Sequence, residues 1–227
     1  MKDKTLLGGI VVMVVGAILI GVVYVLFLQP AQNPTAVLTA VPVTIPNNVQ
    51  YTLLEIVPNE SLVTFTLDET LRGLPTTVVG QSRAVAGQIA VDFADPTTAQ
   101  IGPILINARS LLTDNEFRNT AIQNFILQTE AYELITFTPQ QISGLPAQIT
   151  ATEPVTLTIQ GDLTIRDITQ PVTFTATVTA DGRTELTGSA TAQISRADFA
   201  LTIPDAPGVA NVSENVGLQI DFVAVIP

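Results

Sequence analysis

Apolar and polar residues alternate with period two along most of the chain. Val63, Phe65 and Leu67 alternate with Thr64, Thr66 and Asp68, and Gly87, Ile89, Val91 and Phe93 with Gln88, Ala90 and Asp92. The pattern returns at Val155, Leu157, Ile159, Gly161, Leu163 and Ile165, at Val172, Phe174, Ala176 and Val178, and at Val216, Leu218, Ile220, Phe222 and Ala224. Residues 103–109, 134–138 and 186–194 fit weaker strands. Strict alternation with Thr on one face predicts half-buried antiparallel strands. Asp181-Gly182 predicts a tight hairpin, and Asp95-Pro96, Ser143-Gly144 and residues 204–208 predict loops. About eight long strands with one apolar face each stack as a sandwich or close into a barrel. Strand length and the interior glycines Gly87, Gly161 and Gly188 favour closure.

Two stretches depart from this pattern. Thr113, with Glu116 three residues later, reads as a capping box. Phe117, Ala121 and Phe125 follow at four-residue spacing beside Ile122 and Ile126, which predicts an amphipathic helix over 114–127 that covers the side or one end of the barrel. The other is the amino-terminal run of residues 6–28, which is uncharged and apolar throughout. It exceeds the roughly 7–15 apolar residues of a cleaved signal peptide and suffices for one bilayer crossing. Lys2 and Lys4 precede it and predict that the rest of the chain faces away from the cytoplasm. The expected organisation is a signal anchor at 1–28, a linker at 29–50 and a β-domain at 51–227. Pro30, Pro34, Pro42 and Pro46, with no charge among them, predict an extended tether without a core of its own.

Composition narrows the chemistry. The 227 residues contain no Cys, His or Trp, which removes His-based triads, thiol nucleophiles, disulfides and the usual zinc and haem ligand sets. Nine Lys and Arg against twenty Asp and Glu give a net charge of −11, which argues against nucleic-acid partners. Beyond Lys4 the only cations are arginines. The carboxylate pairs Asp68-Glu69, Asp92 with Asp95, Asp114 with Glu116, and Glu130 with Glu133 read as solvated acids and caps. They lack the aromatic platforms of a sugar site and the spacing of a calcium loop, so catalysis and metal binding are not expected.

Most arginines read as surface partners of these acids. Arg118, Arg166 and Arg196 are candidates for contact with an anionic headgroup, because guanidinium matches phosphate bidentately. Candidate lining residues of an apolar interior are Phe65, Ile89, Phe93, Phe125, Phe137, Ile159, Phe174, Ala176, Ala190, Phe199 and Phe222. The small residues Gly87, Gly161, Gly188, Ala176, Ala190 and Ala192 fit a barrel that holds one apolar ligand, whereas the Phe residues fit a packed core equally well.

Several motifs in chain order carry a resemblance. They are Pro58-Asn59-Glu60-Ser61-Leu62-Val63-Thr64-Phe65, the strand within residues 80–93, Leu112-Thr113-Asp114-Asn115 with Arg118, and Ile135-Thr136-Phe137. Gly161-Asp162-Leu163-Thr164-Ile165-Arg166-Asp167-Ile168-Thr169-Gln170-Pro171-Val172 and Ile194-Ser195-Arg196-Ala197-Asp198-Phe199 complete the series. Together they resemble the YceI-like family of small, bacterial, lipocalin-like proteins that bind polyisoprenoid lipids. The resemblance runs over residues 51–225 and implies an antiparallel barrel with an apolar channel for an isoprenoid chain and no catalytic residues. The family commonly has His before the first Ser and after the helix Arg-Asp. Here Glu60 and Ala121 or Ile122 stand at those places, and Asn119 replaces the Asp.

The expected protein is therefore an all-β, antiparallel lipocalin-like barrel with one inserted helix, held in the cell membrane by a single span. Its domain would be extracytoplasmic, periplasmic or at the cell surface. It would bind a quinone, carotenoid, polyprenyl phosphate or other apolar lipid without a required cofactor. The alternative is an accessory subunit of a membrane protein complex that uses a filled barrel as a scaffold.

Overall fold

Alternation places one face of each strand inward, and the Thr-rich faces outward. In the computed structural model, which describes residues 33–45, 50–150 and 152–227, thirteen strands form one antiparallel sheet. They are β1 (Thr52–Ile56), β2 (Leu62–Leu71), β3 (Leu74–Ser82), β4 (Val85–Ala86), β5 (Gln88–Val91), β6 (Gln100–Ile101) and β7 (Ile104–Asn107). After a helical connection come β8 (Leu134–Ser143), β9 (Val155–Ile165), β10 (Ile168–Asp181), β11 (Glu185–Ser195), β12 (Val209–Ala210) and β13 (Asn215–Val225).

The sheet order is β4-β7-β8-β9-β10-β11-β13-β1-β5-β6, with β2 beside β13, β3 and β12. The sheet is curled and barrel-like. β1 and β2 pair in succession with β13, and β5 and β3 pair in turn with β1 and β2. β4, between β3 and β5, reaches β7 on the far flank through two residue pairs. The eight predicted stretches reappear as β2, β5, β7, β8, β9, β10, β11 and β13, while β1, β3, β4, β6 and β12 are additional, and the 3-10 turn at Pro58–Glu60 separates β1 from β2.

Successive connections of an antiparallel meander alternate between its ends. One end is made by the β2–β3 turn at Arg72-Gly73, the connection 108–133, the β9–β10 turn at Arg166-Asp167 and the connection 196–214. We call it the helix end. Arg72 and Gly73 both have positive φ (51° and 84°), the two-residue geometry that fits strand twist. The opposite end carries the loops 92–103, 144–154 and 182–184.

The predicted helix is shorter than expected. Helix α1 spans Glu116–Ala121 and continues as one π-helical turn, Ile122–Ile126. Its cap is Asn115, whose side chain accepts the Arg118 N–H at 3.1 Å, and not Thr113. Thr113 instead donates its N–H and hydroxyl to Oδ1 of buried Asn119, at 2.7 and 2.8 Å. Asn119 can therefore anchor the helix from within, which a capping pattern read along the chain does not reveal.

Among the described residues no helix is long and apolar enough to cross a membrane, and the predicted anchor at 1–28 lies outside them. The described part of the linker does not stand free. The Thr35 N–H and hydroxyl donate to the two carboxylate oxygens of Glu133. The Val43 N–H donates to Gln88 Oε1 at 2.8 Å, and Val41 and Val43 lie against Gly102. Residues 33–45 are thus a strap along the wall, from the helix end toward the opposite one.

Candidate functional site

Inward side chains from nearly every strand enclose a cavity of about 700 Å³. That lies within the roughly 300–1,000 Å³ of small-molecule sites. Along β9 the lining residues Val155, Leu157, Ile159, Leu163 and Ile165 follow the predicted alternation. Their ten residue steps extend about 33 Å along the strand, so the space is elongated. Beside them on the paired strand lie Phe174, Ala176 and Val178 of β10, and Val216, Leu218, Ile220 and Phe222 of β13 line the same cavity. Phe137 and Phe174 meet edge to face, with centroids 4.8 Å apart.

Nine of the eleven candidate lining residues border this cavity: Phe65, Ile89, Phe125, Phe137, Ile159, Phe174, Ala176, Ala190 and Phe222. Phe93 and Phe199 do not. Phe93 follows β5, packs on a secondary core cluster and carries the Arg183 guanidinium 5.8 Å above its ring. Phe199 is fully buried in the 3-10 turn Ala197–Phe199, where it wedges the main core from a connection. Both lie off the strands, where alternation no longer assigns a face.

The strand glycines do not widen the cavity. A Cβ on Gly161 would meet the Phe137 ring at 2.7 Å, and one on Gly188 the Phe222 ring at 2.9 Å. On Gly87 it would strike Ile104. Glycine is there because a neighbouring side chain already lies over its backbone. The small residues that do border the cavity are Ala176 and Ala190, which pair side by side across β10 and β11. Ala192 is not part of the lining and packs against the main core.

Polar groups concentrate at the helix end of the cavity: Glu69, Arg72, Asn115, Arg118, Arg196 and Asp205. Arg118 pairs with buried Glu69 at 2.9 Å and with exposed Asp114 at 2.8 Å. Arg196 donates to the carbonyls of Ser213 and Leu201 and to Glu214 at 3.2 Å. Glu214 also accepts the Ala197 N–H and the Ser195 hydroxyl, which with Arg196 hold its carboxyl below the usual range. Arg166 lies outside the lining and donates to the carbonyls of Ile126, Phe199 and Ala200. Arg166 thus joins three connections of the helix end, Arg196 braces its own connection, and Arg118 ties the helix to β2.

Sequence reasoning missed Glu69 as the inward partner of Arg118. It also missed the lining contributed by loop residues such as Leu145, Ile149 and Ile203. Their signal was faint: isolated apolar residues among loop formers. Among the described residues no group of three or more metal-ligating side chains occurs.

A curled antiparallel sheet around an elongated apolar cavity defines a class of barrel-like all-β proteins. The chain belongs to the YceI-like domain family, which it matches over residues 54–224. It is similar to a polyisoprenoid-binding domain from Saccharophagus degradans implicated in plant cell wall breakdown. The identity is 14% over 78% of this chain and 100% of that one, with a TM-score of 0.62. BcnA of Burkholderia cenocepacia shares 21% identity over 75% of this chain and 99% of that one, with a TM-score of 0.59. The YceI protein of Campylobacter jejuni shares 19% over 62% and 80%, with a TM-score of 0.50. Among curated protein sequences none matches.

Proposed function

We propose that this protein is a membrane-tethered, extracytoplasmic and non-catalytic binding protein for isoprenoid or other apolar lipid chains. The observation that carries the reading is the elongated 700 Å³ cavity in a member of the YceI-like family. Its apolar walls would bind by removing chain surface from water, at roughly 25 cal/mol per Å². The solved polyisoprenoid-binding domain of this fold supports the same ligand class. The apolar run at 6–28 behind Lys2 and Lys4 supports the tether and its orientation.

The test is an organic extract of the full-length protein, purified in detergent, analysed by mass spectrometry beside native mass spectrometry of the intact particle. A stoichiometric isoprenoid or other long-chain lipid is expected. A protein that carries no lipid and takes up none from added polyprenol or quinone would overturn the reading.

A further inference from the structure

Two independent features mark the same end of the molecule. The strap is one. Glu133, which holds Thr35, immediately precedes β8 at the helix end, whereas Gln88, which holds Val43, lies toward the opposite end. The chain therefore reaches the domain at the helix end and crosses the wall before entering β1. The apolar run ends at Leu28, seven residue steps before Thr35. At most about 3.3–3.6 Å per residue, those steps reach roughly 25 Å.

The second feature is exposure. Phe117 is 76% exposed and Leu74 69%, and both belong to segments of the helix end, as do Leu112 and Leu134. At the opposite end Ile226 and Val41 of the strap, which lies against Gly102, are less exposed, at 48% and 41%, and Val37 and Val79 are exposed on the strap and the wall. Phe117 borders the cavity, and so do Leu71 and Arg72 beside Leu74. Single exposed apolar residues are ordinary, but several in the segments that frame one end of a cavity are not. Asp114, Glu116 and Asp205 are exposed in the same segments and outnumber exposed Arg72, so anionic lipid would repel this end and uncharged lipid would accept it.

We propose that the helix end docks on the lipid bilayer, so that the cavity meets the membrane beside α1 and the β2–β3 turn. The Thr35–Glu133 contact holds the domain in that pose. The proposal rests on the reading of residues 6–28 as a membrane anchor.

Because the chain has no Cys, full-length Phe117→Cys, Leu74→Cys and Ile226→Cys can each carry one environment-sensitive fluorophore. The labelled proteins are reconstituted into phosphatidylcholine vesicles that contain a headgroup-level nitroxide lipid. Thermal melts check folding, and Leu112→Cys replaces either helix-end variant that fails to fold. Quenching at 117 and 74 is expected to exceed that at 226 by at least about three-fold, since docked apolar side chains sit in the interface. The contrast should shrink with Thr35→Val and when phosphatidylglycerol is mixed in. Equal or stronger quenching at 226, or none at any site in vesicle-bound protein, overturns the proposal. So does blue-shifted emission at 117 without lipid quenching, which would mean that a protein partner or a second copy covers it. Protein that does not associate with vesicles overturns the anchor as well. Lipid in the extract without an end-to-end contrast defeats the docking proposal alone.

Discussion

Glu133 gathers four donors onto one carboxylate: the N–H and hydroxyl of Thr35, the Asn107 amide at 2.8 Å and the Arg109 guanidinium at 3.1 Å. The Thr35 hydrogen bonds, followed by those of Asn107 and the Arg109 charge, hold its pKa at about 2, below the ordinary 4.5. A lowered folded-state pKa means stabilisation that is complete above about pH 4.5 and lost as pH falls toward 2. Glu133→Gln should therefore melt a few degrees below the parent at pH 7, partly because buried Arg109 loses its ion-pair partner. The gap should close as pH falls from 4.5 toward 2. Calorimetric melting of both proteins across pH 2–7 checks this, and a gap that stays constant with pH would refute it. None of this was legible from the sequence. Glu133 and Thr35 are 98 residues apart, and a proline-rich uncharged stretch reads locally as a tether.

Strands were the most legible elements because period two is a local signal. β9, β10, β11 and β13 stand where alternation placed them. β3 was missed, since Leu74-Pro75-Thr76-Thr77 at its start carries no apolar alternation, and only its register against β2 makes it a strand. The face of each strand was also legible, which is why most candidate lining residues do border the cavity. The purpose of the strand glycines was not, because what lies over a backbone depends on the partner strand. Gly161 sits beneath Phe137 and beside the Thr138 carbonyl, which an added Cβ would approach to 2.5 Å. Gly188 stands likewise beside the Thr177 carbonyl, at 2.7 Å. Carbonyls fixed in the sheet cannot yield as a flexible side chain does. Gly161→Ala and Gly188→Ala should therefore each cost about 1–3 kcal/mol of stability. Denaturant unfolding of the two variants is the measurement. Unchanged midpoints would show that the strands shift freely and that the rings do not need bare backbone.

The sheet as a whole keeps a long space open although its walls are rich in Phe, and the small side chains that border it lie on neighbouring strands. Ala176 and Ala190 form a shallow patch at paired positions on β10 and β11, beside Leu157 of β9. Both are buried from solvent, at 1% and 6% exposure, yet both face the cavity. Both belong to the main core cluster as well as to the cavity wall, so a larger side chain there tests whether the space in front of them is free. In a solid core Ala→Phe would force neighbours off their rotamers and destabilise by about 1–3 kcal/mol or more. Here the added ring can occupy cavity space, where it replaces contacts that a bound chain would otherwise make. At least one of Ala176→Phe and Ala190→Phe is therefore expected to keep its melting temperature within a few degrees of the parent while losing lipid from its organic extract. The two readouts separate the cases. A variant that stays folded and lipid-free shows that the chain occupies this stretch of the cavity. One that stays folded with its lipid retained places the chain elsewhere along the cavity. If both variants melt far lower and the parent extract holds no lipid, the interior behaves as a filled scaffold and the carrier function is lost.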